Sequence, residues 1–440
     1  MIIVKSWKII YNIIFLPLMA GALTLAALFS RKIRDSIRSR FGLWKRLKIK
    51  TGKLDRSKKT IWFHVASAGE YQQAQPLIKL FHKKGYQCVL TCTSNSGFSW
   101  LDKKPDVDLV FYEYYPFDRK GNAKKIINLI QPEFIVFIKT DLWPNLIWES
   151  SHLSIPMFLV NAYLSMASSK VKGVLTRAYY ISLISHFTRI YTLSKNESQA
   201  YCQILPEISR VIETGDTKYD SVLQRKKNAQ TFKKPFINKT TIVLGSLDDK
   251  EFGVILPAMI YLLENYNDIA IVIAAHHIEE TNTQELLYRF ASFNPVRFDE
   301  YREKTSKIPK KTRVVVLNTM GDLFSIYAWA DIAYVGGGFD NGIHNVLEPG
   351  VNSSSILFGP RYANFKEAVE MVKEDVVYPV KNSSEVLESI IYLLKNPKIL
   401  KSNTKSLNSF IVKKSGASQR VFQDINKQIK LNQRKGEKRI

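Results

Sequence analysis

The chain has 440 residues, long for one domain, and its 45% hydrophobic and 23% charged content excludes a disordered or fibrous protein. Sixty-four Lys and Arg against 39 Asp and Glu give a net charge of +25, which calls for an anionic partner: nucleic acid, an anionic membrane or a phosphorylated substrate. Three cysteines, Cys88, Cys92 and Cys202, exclude a disulfide framework and show no zinc spacing, so they read as buried thiols in a reducing compartment.

The first element is apolar. Ile9 to Phe29, IIYNIIFLPLMAGALTLAALF, carries no charge and matches the ~20 residues that a bilayer-spanning helix needs. Asn12, Pro17 and Gly21 weaken it, which leaves a spanning and an interfacial helix both open. No cleavage site stands before the basic RKIRDSIRSR, which argues against a removed signal peptide. Residues 31 to 59 hold thirteen Lys and Arg against two Asp. The positive-inside rule keeps this flank and the body after it cytoplasmic, and the same cluster is drawn to anionic head groups. The charge therefore needs no nucleic acid, and no RNP, zinc-finger or helix-turn-helix pattern occurs.

Apolar runs then alternate with helix-like spans: 60–66, 87–93, 108–114, 133–138, 155–162, 189–194 and 210–214. Continuous apolar runs of this length predict parallel strands covered on both faces. After a polar, basic stretch at 223–240, read as a linker, the pattern restarts at 241–246, 269–275, 313–318, 331–338, 354–359 and 376–380. The expectation is an α/β protein of two Rossmann-like, doubly wound domains facing a cleft. Its parts are an anchor at 1–30, domains at 31–222 and 241–426 around the linker, and a basic, frayed tail at 427–440.

Ligands of open α/β sheets bind beyond the carboxyl ends of the strands, and the unusual residues cluster there. IWFHVA stops at Ser67-Ala68-Gly69-Glu70, where Glu70 is either a helix cap or a catalytic carboxylate. Lys139 and Asp141 follow a later strand, and Lys218 another; each lysine taken singly reads as a surface charge. Ala275 ends a strand before His276 and His277, which we read as polar ligand contacts, since sequence-adjacent histidines seldom chelate one ion. His64, His82, His152 and His186 read as structural. Met320, Gly321 and Asp322 stand at a helix start, where Asp322 either caps or holds a sugar hydroxyl. The strand DIAYVGGG leads to His344, Asn345, Val346, Leu347 and Glu348. Its glycines let backbone N–H groups approach a ligand, and a helix from near Asn345 would face a phosphate. Pro349 is expected to bend or end that helix. No Walker loop or G-x-G-x-x-G fingerprint is present.

Together these stretches resemble the 3-deoxy-D-manno-octulosonic acid (Kdo) transferases, membrane-associated glycosyltransferases. The matching segments are Ser67 to Glu70, Thr140 to Leu146, Asn161 to Ser165, Thr214 to Asp220, Thr319 to Leu323, Tyr327 to Gly337, His344 to Pro349, Leu357 to Pro360 and Asn364-Phe365. The resemblance implies a GT-B fold, with the acceptor held by the first domain and the nucleotide sugar by the second. It implies CMP-Kdo as donor, a phosphorylated lipid A precursor as acceptor, no cofactor or metal, and the cytoplasmic face of the inner membrane. Glu70 would be the general base, with Lys139 and Lys218 stabilising the transition state. CMP contacts would fall on Ala275 and His276, on Met320, Gly321 and Asp322, and on Asn345, Val346, Leu347 and Glu348. Three places depart from the pattern: Lys139, where many members carry Glu; Ala275-His276, where many carry Pro-Arg; and Gly342-Ile343 before His344, in place of Gly-Gly. Another GT-B lipid glycosyltransferase and a non-catalytic membrane-bound binding protein are the rival readings.

Overall fold

The computed structural model describes residues 2–103, 105–303, 311–352 and 355–437, with side chains from residue 6 to residue 431. It divides into two compact units, Met1–Ser221 with Ser415–Ile440, and Val222–Lys414.

The first unit is built on a seven-stranded parallel sheet. Its strands are Thr60–Val65 (β1), Gln87–Cys92 (β2), Leu109–Tyr114 (β3), Phe134–Ile138 (β4), Met157–Ala162 (β5), Arg189–Thr192 (β6) and Val211–Glu213 (β7), in the order β3-β2-β1-β4-β5-β6-β7. Every residue of β1, β2, β4 and β5 is buried, as continuous apolar runs require. The strand order reverses between β1 and β4, so the connections leave this point in opposite directions and open a crevice at the carboxyl ends.

The second unit repeats the plan with Thr240–Leu247 (β8), Ile269–Ala275 (β9), Val296–Arg297 (β10), Val314–Val316 (β11), Ile332–Val335 (β12), Ser355–Phe358 (β13) and Val377–Pro379 (β14), in the order β10-β11-β9-β8-β12-β13-β14. Its switch point lies between β8 and β12. The two-residue edge strand β10 has no counterpart in the sequence reading, because two residues give no periodic signal.

The chain's end returns to the first unit. In the helix Ala417–Glu437, Val421, Ile425 and Ile429 join the core beside β1 and β2, and the Phe422 ring stands 4.9 Å from that of Phe81. The Tyr191 hydroxyl donates to Asp424 at 2.9 Å, and the Asp220 carboxylate accepts from the Gly416 and Ser418 N–H groups. Residues 415–426 therefore lie with the first unit, whereas the sequence boundary put them in the second, and the expected tail is helical through Glu437. The i, i+4 apolar stripe explains the return, since a helix with such a face needs a surface to cover it. Within the stretch read as a linker, residues 223–227 complete the helix Lys218–Lys227.

The N-terminal segment is helical from Ile2 to Phe29, through a π-turn at Tyr11–Phe15. Ser6–Phe29 is long and apolar enough to cross a membrane by length and composition. Its first part is tied to the first unit: Trp7 packs on Tyr179, the Tyr11 hydroxyl donates to Asp118, and the Asn12 and Asn145 side-chain amides bond each other at 3.0 Å. The basic flank is partly consumed by the fold. Arg46 and Lys50 meet the fully buried Glu113 at 3.0 and 3.1 Å, Arg40 donates to the Thr93 and Tyr115 carbonyls, and Arg56 donates to those of Leu129 and Ile130.

Candidate active site

In the first unit, the polar residues of interest gather at the switch point. Ser67 caps the helix Ala68–Lys83, its hydroxyl accepting from the Glu70 N–H at 3.4 Å. The Glu70 side chain turns back so that Oε2 accepts the Ala66 N–H at 2.6 Å. Glu70 is therefore a local cap and is only 8% exposed. The bond occupies one oxygen, which leaves Oε1 as the atom able to accept another proton. Burial raises the Glu70 carboxyl above the usual range, with the Ala66 bond opposing; Asp141 raises it further, while Lys139 and His64 pull it down.

Lys139, just past β4, is exposed and sits in the left-handed region at φ 64°. Its N–H donates to the Val160 carbonyl at 2.8 Å, which holds this turn against β5. A long side chain in that conformation costs free energy that the surrounding packing must offset. Asp141 is the hub. Its Oδ2 accepts from the Thr93 hydroxyl at 3.0 Å and the Trp143 indole at 3.2 Å, and stands 3.1 Å from His64 Nε2. Burial alone would raise the Asp141 carboxyl, but the bond and charge of His64, with the Thr93 and Trp143 bonds, hold it below the usual range. His64 Nδ1 meets the Thr91 hydroxyl at 2.8 Å, and Thr91 in turn accepts from the Trp62 indole. His64 thus links the buried strands β1 and β2 to the acid beside Glu70.

The loop leading into the helix that Lys218 begins is fixed to the same end of the sheet. Asn161, buried at the end of β5 with φ 55°, donates to the Thr217 hydroxyl at 2.8 Å and accepts the Thr217 N–H at 3.2 Å. The Thr217 hydroxyl donates to the Gln73 carbonyl, one turn beyond Glu70. Lys218 pairs with Asp216 at 3.4 Å. Asn161 and Thr217 thus position Lys218, a role the resemblance gave neither of them.

In the second unit the tips of β9, β8 and β12 converge. Gly336 sits so close to β8 that an added Cβ would lie 2.1 Å from the Ser246 carbonyl. Buried Glu251 organises the tip. It accepts from the Asp248 N–H at 3.1 Å, from the Gly337 N–H at 2.9 Å and from the Tyr334 hydroxyl at 2.9 Å. Its carboxyl is raised by burial against these bonds. Sequence reading passed over Asp248 and Glu251; the Asp-x-x-Glu spacing at a helix start was the available signal.

His276 follows Ala275 off β9, and its ring stacks on that of His344 with centroids 4.3 Å apart. Burial and His276 lower the His344 imidazole, with Asp248 opposing. Met320 is exposed, Gly321 adopts φ 89°, and Asp322 accepts from the Thr319 hydroxyl at 2.7 Å while pairing with Arg302 at 3.3 Å. The helix after the glycines begins at Leu347 and has six residues, Leu347–Asn352. Pro349 lies in its first turn and does not end it, because a proline there forfeits no helical bond. The expected dipole is correspondingly small, and what Asn345 contributes is its side chain, which accepts the Leu347 N–H at 3.0 Å. Val346 and Leu347 are buried, and Glu348 pairs with Arg225 at 2.6 Å.

Residues 35–221 match the family model described as 3-Deoxy-D-manno-octulosonic-acid transferase (kdotransferase). A 3-deoxy-D-manno-octulosonic acid transferase of Haemophilus influenzae is 26% identical over 404 residues, 89% of this chain and 91% of the relative. One of Aquifex aeolicus is 27% identical over 360 residues, 80% of this chain and 91% of the relative. Among solved structures, a UDP-N-acetylglucosamine 2-epimerase from Listeria monocytogenes, described as putative, superposes with a TM-score of 0.60 at 11% identity, over 85% of this chain and 97% of that one. The UDP-GlcNAc 2-epimerase of Neisseria meningitidis does so with a TM-score of 0.59 at 13% identity, over 84% and 100%. These likenesses concern the fold, which is GT-B.

Proposed function

The chain carries a Kdo transferase family domain and is a homologue of curated Kdo transferases along most of its length, and from that premise we propose its reaction in detail. The relation supports Kdo glycosyl transfer in lipopolysaccharide synthesis. Our reading is that the donor is CMP-Kdo, bound by the second unit, and the acceptor a hydroxyl of the phosphorylated lipid A precursor, bound by the first. The transfer inverts the anomeric centre.

The observation that carries this reading is the setting of Glu70: a carboxylate raised by burial, at the tip of β1 beside the switch point, with Lys139 and Asp141 at the facing tip of β4. An alcohol must lose its proton as it attacks the anomeric carbon, and a positioned carboxylate that takes it contributes about 10²–10⁴-fold in rate. A raised pKa makes that carboxylate a stronger base. CMP departs as a phosphate monoester and needs no second carboxylic acid of the glycosidase kind. Lys139 and Lys218 are assigned to the charge that grows as the bond breaks. Ala275, His276, Met320, Gly321, Asp322 and Asn345 to Glu348 are assigned to CMP.

The membrane reading rests on the N-terminal helix. Its tied part ends near Leu16, and Pro17 to Phe29 then extends roughly 20 Å as a helix, less than the ~30 Å hydrocarbon core. We therefore place it in one leaflet of the inner membrane, with the catalytic body on the cytoplasmic face. Lysines and arginines of residues 31–59 that are not spent on the fold add attraction to anionic lipid.

The test is incubation of the full chain with CMP-Kdo and lipid A precursor, with CMP release and product mass as readouts. Turnover only with another nucleotide sugar would select a different GT-B lipid glycosyltransferase. Binding of both substrates without turnover would select a binding protein.

A further inference from the structure

We propose that Asp248, His276 and His344 form a binding site for a borderline-soft divalent ion of the Zn²⁺ class. The three residues come from three neighbouring strand ends: Asp248 directly follows β8, His276 follows β9, and His344 follows β12 and its glycine turn. Their ligating atoms all lie within 4.8 Å of one another. His344 Nε2 is 3.9 Å from Asp248 Oδ2, and the two imidazole rings lie nearly parallel, 11° apart. Donors around a tetrahedral zinc at 2.0–2.1 Å stand about 3.4 Å apart, and because the two rings are stacked, one of them, the exposed His276, must turn out of the stack for both nitrogens to point at one ion.

Two further features favour an ion over an incidental cluster. His344 Nε2 is buried and has no hydrogen-bond partner among the described residues, and a buried polar atom in that state calls for an explanation. The backbone is also held in place beneath the ligands. The His276 N–H donates to the Leu247 carbonyl at 2.8 Å, the His344 N–H to that of Gly336 at 2.9 Å, and the Asp248 N–H to Glu251. An added Cβ on Gly337 would stand 3.1 Å from His344 Nε2, so glycine there keeps the position clear. Two imidazoles with one carboxylate suit a zinc-like ion better than the all-oxygen shells of Mg²⁺ or Ca²⁺. His276 is exposed, so the cluster is open to solvent on that side. His276 is also assigned to CMP above, so the ion and the donor share this residue, and the site is therefore tested on the ion alone, without nucleotide.

The full chain, purified without a histidine tag and stripped with chelator, is titrated with Co²⁺ while its visible ligand-field absorption is followed. Zn²⁺ is then added to displace the Co²⁺. The expected result is a saturable band abolished by Zn²⁺, with affinity lowered at least about tenfold in His276→Ala and in His344→Ala and unchanged in His277→Ala. Asp248→Asn keeps an oxygen at the helix start, loses the charged ligand and should also weaken binding. Thermal melts by circular dichroism check folding; His276, exposed and outside the core, decides the matter where His344→Ala unfolds. Absence of a saturable band in the wild type overturns the proposal. So does a band that His276→Ala leaves unchanged or that His277→Ala removes.

Discussion

Replacing Glu70 by Gln separates the two roles that its position allows. The amide keeps a carbonyl oxygen that can accept the Ala66 N–H, now made at 2.6 Å, and the Ser67 cap is untouched, so the helix start should persist. Burial disfavours the Glu70 carboxylate relative to the same group in water, which is the direction of its shift. The linkage has a definite sign. A group whose folded pKa lies above its unfolded value contributes most stability below the unfolded pKa, and that contribution falls as pH rises through the folded pKa. Gln does not titrate, so at neutral pH the variant should be as stable as the wild type or slightly more so, within about 1 kcal/mol. Activity should behave oppositely. Loss of the proton acceptor should lower kcat by about 10²–10⁴, or about 2.7–5.4 kcal/mol of barrier. In the wild type, kcat/KM should rise with pH through a midpoint above the ordinary glutamate range, and in the variant this acid limb should vanish. CMP release at several pH values and a thermal melt measure both. Unchanged CMP release in a folded Glu70→Gln protein would refute the base assignment and leave Glu70 as a cap alone.

Three other outcomes are expected. Asn161→Ala leaves the Thr217 N–H without its acceptor in a buried setting, so a urea titration should show a loss of about 1–3 kcal/mol. The loosened Lys218 loop should also lower kcat. Gly336→Ala would drive a methyl group into the Ser246 carbonyl and the Glu251 carboxylate, so the second-unit tip must shift. Affinity for CMP by calorimetry should fall at least about tenfold, with the first unit's melting transition unaffected. Leu18 and Leu25, both largely exposed on the N-terminal helix, carry the membrane reading: changing both to Glu should release the protein from anionic liposomes in a flotation assay even at low salt. High salt alone should release only part of the wild type, because apolar burial is not screened.

The sequence made the sheets legible because a strand buried on both faces leaves a mostly apolar run, unbroken in β4 and interrupted in β1, β2 and β5 only by buried polar residues such as His64, Thr91 and Asn161. It made the strand tips legible because glycine and charge stand out where such runs stop. Elements whose signal lies in pairing were hidden. The helix Ala417–Glu437 shows its stripe of Val421, Ile425 and Ile429 plainly, yet nothing in the stripe says that its surface is the first unit. The residue before Pro349 disfavours the helix, hence the expected bend or end; only the observed start at Leu347 shows the proline to be in the first turn. The charge count of the basic flank points to anionic head groups, yet Arg40, Arg46, Lys50 and Arg56 bond the protein itself.

The polar networks follow the same logic at longer range. His64 has no partner within its own stretch, and its contact with Asp141 exists only because β1 and β4 become neighbours across the switch point. Asp248, His276 and His344 are scattered along the sequence and meet because β9, β8 and β12 are adjacent. In each unit the crowded tip is where the strand order reverses. Helices there depart to opposite faces, so no connection crosses the opening, and short side chains can meet without a loop over them. The two sheets nevertheless use this position differently. The first buries a carboxylate among an acid, a lysine and a histidine; the second sets two imidazoles and a carboxylate around a glycine turn. That difference fits a division of labour in which one unit handles a proton and the other a phosphate or an ion, which is why Glu70→Gln and His276→Ala should have separable effects.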